Sequence, residues 1–196
     1  MGEGSLSMAE PIIRIRGERV HLALMRTDDE ALRTYMRWMS DEGFNAWINQ
    51  SSNVLSLEGE REWASRCHPQ ERRFNIIDAS THDLLGNASV RLGDAGASAV
   101  LGIVIGEGTG RDRGCGTEVV RMLRDFSFME LRAHRAELSV MDDNLRARRC
   151  YEKAGFRECG RRHEALWYHG AWHDSIDMEI LYDEWLGLRG AEDAGS

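Results

Sequence analysis

Apolar residues alternate with arginines near the start of the chain. Ile13 and Ile15 flank Arg14, a turn follows at Gly17, and Val20, Leu22 and Leu24 resume the two-residue period. Successive side chains of a strand point to opposite faces, so this pattern suggests two short strands. The spacing changes after Thr27. Leu32, Tyr35, Met36 and Met39 recur at three and four residues and predict an amphipathic helix. Thr27 is placed to cap it, and Asp28, Asp29 and Glu30 put negative charge at its positive end. A weaker helical pattern, again acidic in its first turn, covers SLEGEREWASRC.

RRFNIID and LLGNASVRL flank the turn-rich ASTHD, which predicts an antiparallel pair. SAVLGIVIG is apolar almost throughout and predicts a strand covered on both faces. Val119, Val120, Leu123 and Phe126 then fit one helical face, and Ala136, Leu138 and Val140 fall at period two. NLRARRCYEKAGF reads as a short helix that Gly155 stops, and ALWYHGAWHDSIDMEIL as two strands around His169 and Gly170. No internal repeat or low-complexity linker interrupts this order. It predicts one mixed α/β domain over residues 11–186, with residues 1–10 and 187–196 as disordered tails because neither has apolar periodicity.

Composition narrows the partners. The formal net charge of −8 disfavours a broad nucleic-acid footprint and direct DNA binding, and suits a cationic ligand. Cys67, Cys115, Cys150 and Cys159 form no C-x-x-C pair and read as reduced thiols. The longest apolar run is far short of the roughly 20 residues that cross a bilayer, and no signal peptide is recognisable, so a cytoplasmic, membrane-free protein is expected.

The stretch GRDRGCGTEVVRML, residues 110–123, carries the chemistry. A P-loop ending at Thr117 needs Gly-Lys before it, and Cys115-Gly116 stands there instead. A dinucleotide fingerprint starting at Gly114 needs a glycine where Val119 stands. What remains is R-x-x-G-x-G at Arg111, Gly114 and Gly116, between a strand and a helix. Glycines let backbone amides approach an anion, and a helix start adds unpaired N–H donors. On spacing alone the stretch suits an anion cradle and a glycine-rich turn with surface arginines equally.

That signature, together with RAELSVMDDNLRARRCYEKAGF, resembles the GNAT superfamily of acetyl-CoA-dependent N-acetyltransferases, with Arg111-x-x-Gly114-x-Gly116 matching Q/R-x-x-G-x-G/A and Asn144 to Phe156 matching N-x-x-A-x-x-x-Y-x-x-x-G-F. The similarity spans Ala99 to Phe156. GTEVVRML and the segment from Cys150 to Asp174 look most like the Rim-type ribosomal-protein N-terminal acetyltransferases and the bacterial spermidine acetyltransferases; ERRF, Glu71 to Phe74, leans toward the latter.

The resemblance implies a central, mostly antiparallel sheet flanked by helices. It also implies that the backbone of Val104 and Ile105 pairs with the pantetheine arm, that Arg111, Arg113, Gly114, Cys115, Gly116 and Thr117 surround the pyrophosphate, and that Asn144 holds the pantetheine region. A primary amine, from a protein N-terminus or a polyamine-like molecule, would attack the acetyl thioester directly through a tetrahedral intermediate, and Tyr151 would protonate the departing thiolate. A homodimer or larger homo-oligomer is compatible. Read from the residues alone, Asn144 also serves as a helix cap and Tyr151 as a packing residue.

Many relatives place a carboxylate where Val100 stands, and valine cannot accept a proton. Near pH 7 roughly a tenth of an α-amine but only about a thousandth of a lysine amine is neutral, so an α-amine tolerates a missing base better. Water chains to Glu42, Asp94 or Glu107 are alternatives, and an acetyl-CoA-binding sensor without turnover is the second reading. Asp28, Asp29, Glu30, Asp41 and Glu42 could draw in a cation or simply start a helix, and Trp47 could wall an acceptor or pack. His163-Glu164 lacks the second histidine of H-E-x-x-H, and His169 and His173 straddle a turn, so no metal is expected.

Overall fold

The alternating segments become eight strands in one sheet of order β1-β2-β3-β4-β5-β6-β8-β7. The structure is a computed structural model that describes residues 10–40, 56–66, 68–93, 97–106, 114–168 and 170–194. The strands are β1 (Ile13–Arg16), β2 (Val20–Leu24), β3 (Glu71–Asp78), β4 (Leu84–Leu92), β5 (Ser98–Ile105), β6 (Arg135–Met141), β7 (Arg157–Tyr168) and β8 (Ala171–Leu181). The helices are α1 (Asp29–Met39), α2 (Leu57–Ser65), α3 (Cys115–Met129), α4 (Leu145–Lys153) and α5 (Tyr182–Ala194). Neighbouring strands run antiparallel except β5 and β6, which are parallel because α3 carries the chain from one to the other. Among the described residues no helix is long and apolar enough to cross a membrane.

Val119, Val120 and Leu123 of α3 are fully buried against β2, β4, β5 and β6, as the period of three and four requires. A smaller cluster of Ala31, Leu32, Tyr35 and Ala64 joins α1 to α2, with Met25 and Trp38 packed on it. The expected antiparallel pair of RRFNIID with LLGNASVRL is β3 with β4, and Asn144 and Gly155 bound α4 as the spacing predicts.

Three expectations change. The cap of α1 is Asp28 rather than Thr27: the carboxylate accepts the Ala31 N–H at 3.1 Å and also Arg26 Nε and Nη2 at 2.7 Å each, which a hydroxyl could not do. Hydrogen bonding to that guanidinium holds the Asp28 carboxyl below the usual range. The two-sided coverage expected of β5 is found in β2 instead. In β2, Val20, His21, Leu22 and Ala23 are all buried and Leu24 is exposed, because α3 covers one face and His21 on the other lies 6.4 Å from the His82 ring. In β5, Ala99 and Leu101 enter the core, whereas Val100, Gly102 and Val104 on the other face are only half-buried. Finally, α5 continues to Ala194, beyond residue 186, and is anchored by Trp185, whose ring packs 5.1 Å from that of Phe128.

Arg124 lies among the apolar residues of α3 with 2% of its surface exposed. Its guanidinium donates to the carbonyl of Ala154 at 2.7 Å and to Asp125 at 2.8 Å, and Asp125 also accepts the Trp185 indole N–H at 2.8 Å. One turn away, Arg121 donates to the Lys153 carbonyl at 3.1 Å. The terminal carbonyls of a helix lack partners within it, so α3 supplies them for α4. Arg124→Ala therefore leaves a cavity and an unpaired carbonyl, and should cost about 2–4 kcal/mol. A urea titration checks this: the midpoint falls with unchanged slope, and a loss below about 1 kcal/mol would contradict the role.

Candidate active site

Strand β5 pairs with β6 over Ser98, Ala99 and Val100 only. Beyond Val100 it stays paired with β4 through Ile105, while β6 stays paired with β8 through Met141. The two strands part, and the β6 side of residues 101–105 is left without a strand partner. Val104 and Ile105 lie on this free edge, opposite Asn87 and Gly86 of β4.

Helix α3 starts beside that opening. Gly114 is its N-cap with φ of +79°, in the left-handed region that glycine adopts without strain, and no side chain caps the helix. The helical ladder begins with the Glu118 N–H donating to the Gly114 carbonyl at 3.1 Å, so the amides of Gly116 and Thr117 precede it. Gly116 stands between the end of β5 and α4: a β-carbon there would lie 3.6 Å from Ile105 Cδ1 and 3.6 Å from Cys150 Sγ. Cys115 is buried in the core. Arg111 and Arg113 lie outside the described residues, as do Asp41, Glu42, Trp47, Cys67, Asp94, Glu107 and His169.

Tyr151 and Ala147 share a face of α4 and pack on the main core, as their spacing of four predicts. Burial pushes the Tyr151 phenol up to about 12, and its hydroxyl has no hydrogen-bond partner among the described residues. Asn144 caps α4 by accepting the Ala147 N–H at 3.1 Å, which leaves its side-chain N–H₂ group uncommitted among the described residues. The structure thus brings Val104, Ile105, Gly114 and Gly116 to one opening, with α4 carrying Asn144, Cys150 and Tyr151 beside it.

The opposite face of β5 floors a cleft of about 190 Å³ between the sheet and α2. Polar Glu71, Arg73, Asn87 and Ser89 line it together with apolar Met25, Trp63, Ile103 and Val104, and its exposed surface is mostly apolar. Arg73 donates to Glu71 at 2.6 Å and to the Trp63 carbonyl at 2.5 Å, and its guanidinium lies 5.0 Å from the Trp63 ring centroid. Beneath them, fully buried Asn75 accepts the Arg26 N–H at 2.8 Å, exchanges hydrogen bonds with the Tyr35 hydroxyl and donates to Asn87 at 2.8 Å. Burial raises the Tyr35 phenol to about 12. At the end of β5, Gly106 lies against the Trp38 indole, where no side chain would fit.

Sequence reasoning missed this cleft, although the alternation of ERRFN already places Glu71, Arg73 and Asn75 on one face. Of the five acids proposed to attract a cation, the three described ones are paired: Asp28 and Glu30 with Arg26, and Asp29 with Arg61. A larger hollow of about 390 Å³ borders Cys115, with Glu18, Arg19 and Asp78 at its rim, and no described β5 residue lines it. His173 lies 3.9 Å from Asp142 and 3.4 Å from Asp143, and these three are the only such grouping with metal-ligand geometry among the described residues.

A free strand edge and a glycine-opened helix thus lie on one side of β5, and the Glu71 cleft on the other. Residues 19–157 match the acetyltransferase (GNAT) domain. A Bacillus subtilis protein named as an N-acetyltransferase, YjcK, is 32% identical over 139 residues, covering 67% of this chain and 76% of its own. A second from the same organism, the uncharacterized N-acetyltransferase YobR, is 31% identical over 145 residues, covering 71% of this chain and 56% of its own. Among solved structures, spermidine N-acetyltransferase from Vibrio cholerae in complex with CoA and spermine superposes with a TM-score of 0.76 at 23% identity, over 86% of this chain and 98% of that one. A GCN5-related N-acetyltransferase from Brucella melitensis gives a TM-score of 0.73 at 22% identity, over 95% and 86%. At those identities the structures share the fold. The chain belongs to the GNAT acetyltransferase family. It is an acetyl-CoA-dependent acyltransferase.

The two phenols make stability pH-dependent. Each has a folded pKa of about 12 against an ordinary 10, so the unfolded chain releases two protons that the folded state keeps. Stability is fully present below pH 10 and falls as pH rises toward 12. In Tyr151→Phe that fall should be shallower by about one proton, read as the slope of unfolding free energy against pH.

Proposed function

We propose that this enzyme transfers the acetyl group of acetyl-CoA to a primary amine, with the pantetheine arm in the β5–β6 opening and the amine in the Glu71 cleft. The parting of β5 from β6 after Val100 carries this reading. It leaves backbone donors and acceptors on one edge of β5, matched to the amides of a pantetheine arm, next to helix amides matched to a pyrophosphate. The residues fit such a ligand: a left-handed glycine cap keeps the helix start clear of side chains, and Gly116 keeps the passage between Ile105 and Cys150 open. Arg111 and Arg113 would add charge to the same anion, Cys115 and Thr117 backbone amides, and Asn144 its free N–H₂ to the arm.

Acetyl-CoA supplies the thioester, and the chain positions both reactants. The neutral amine attacks the carbonyl carbon, the C–N bond forms and the C–S bond breaks. The nitrogen sheds a proton and the sulfur takes one. A phenol at about 12 holds its proton more tightly than a thiol near 8.5, so Tyr151 acts by donating a hydrogen bond to the departing sulfur, and the proton that sulfur keeps derives from the amine. The acceptor is the α-amine of a peptide or a small amine. The complex of the Vibrio cholerae relative with spermine supports an amine as the acceptor.

Mass spectrometry of a pooled amine mixture after incubation with acetyl-CoA tests the activity. Tyr151→Phe should lower kcat about 100-fold while acetyl-CoA affinity stays within about threefold. Gly116→Val should do the reverse, weakening acetyl-CoA at least about tenfold. An equal loss of binding in both variants would refute the placement.

A further inference from the structure

Resting on the acetyl-transfer reading, we propose that Glu71 and Arg73 together select the acceptor, and that it is an amine flanked by a carboxylate or carbonyl: an α-amino acid or the first residue of a peptide. Both side chains rise from the same face of β3, two residues apart, and both are largely withdrawn from solvent, with 19% and 15% exposure. Arg73 is held in place by the Glu71 carboxylate, the Trp63 carbonyl and the Trp63 ring. Those contacts use two of its five N–H donors, and the others remain available to an incoming oxygen. Glu71 likewise gives one oxygen to Arg73 and keeps the second among the described residues.

A carboxylate oxygen and guanidinium donors side by side match an ammonium and the oxygen attached one carbon away. They do not match a polycation. Among the described lining residues Glu71 is the only acid, Arg73 neutralises it, and Asn87, Ser89, Gly102 and Val104 are uncharged. A polyamine entering such a cleft would lose hydration from several charges and meet no net field in return. The acids of α1 offer it nothing further, since each is paired to an arginine. An α-amine with its neighbouring oxygen is satisfied at both ends.

The same arrangement handles protons. The incoming ammonium gives one proton to the free Glu71 oxygen, from which it passes to solvent. The neutral nitrogen then bonds to the thioester carbon as the C–S bond breaks, and its second proton ends on sulfur. Glu71 lines the same cleft as Gly102 and Val104, two strands away on one face of the sheet, and so would hold the amine beside the strand proposed to carry the thioester.

The test is steady-state acetylation of alanine, trialanine, ethylamine and spermidine, with acetyl-CoA binding measured separately by calorimetry. In the unaltered enzyme alanine or trialanine should lead, and which of the two leads distinguishes a free amino acid from a peptide end. Arg73→Gln should lower kcat/KM for the leading acceptor about 10-fold or more beyond whatever it costs ethylamine. Comparing variants cancels the intrinsic basicity of each amine. Arg73→Lys should restore part of the preference. Glu71→Gln should lower kcat for both acceptors by about 100-fold, with acetyl-CoA affinity unchanged. Spermidine leading, or Arg73→Gln lowering both acceptors equally, would overturn the inference alone. Acetyl-CoA that does not bind would overturn the acetyl-transfer reading and this inference with it.

Discussion

The parallel ladder between β5 and β6 is three residue pairs long, and the site depends on where it ends. An unpaired strand edge inside a sheet normally costs free energy, because buried amides and carbonyls without partners lose the hydrogen bonds they had with water. Here each strand keeps its other neighbour, so neither frays, and the cost falls on one short edge that stands open. A parallel crossover makes the parting possible. It sends the chain through α3 and returns it to β6, so the helix start follows the free edge in the chain.

The other face of the sheet is organised by Asn75. A buried side-chain amide must find all its partners, and this one finds them in the segment after β2, in α1 and in β4. The network fixes the height of α1 over the sheet, and the Trp38–Gly106 contact fixes where α1 meets the end of β5. In the proposed reaction the acyl donor would meet β5 at its free edge and the acceptor at its outer face.

Much of this was legible in the sequence. Period-two and period-3.6 spacing located the strands and helices, and the ends of α4 followed from Asn144 and Gly155 because capping chemistry is local. The glycine signature marked the helix start, and the sequence resemblance supplied its meaning. The rest depended on packing between distant segments. Nothing local tells a strand with covered faces from one whose outer face floors a cleft, so the apolar run of β5 misled. Arg124 reads as a surface residue until Ala154 comes alongside. Glu71 and Arg73 read as the solvent side of a strand until α2 closes over them. Thr27 and Asp28 are both plausible caps, and Arg26 decides between them.

Arg121 and Arg124 have a consequence for scale. Two guanidinium groups on α3 grip consecutive carbonyls at the end of α4, so the helix whose first turn faces the proposed anion and the helix that carries Tyr151 form one rigid block. The span from that first turn to the phenol is set by the core, not by the loop before α3. In the proposed binding mode that block would act as a ruler: an acyl carrier with a shorter or longer arm would present its sulfur away from Tyr151 however well its charged end were held.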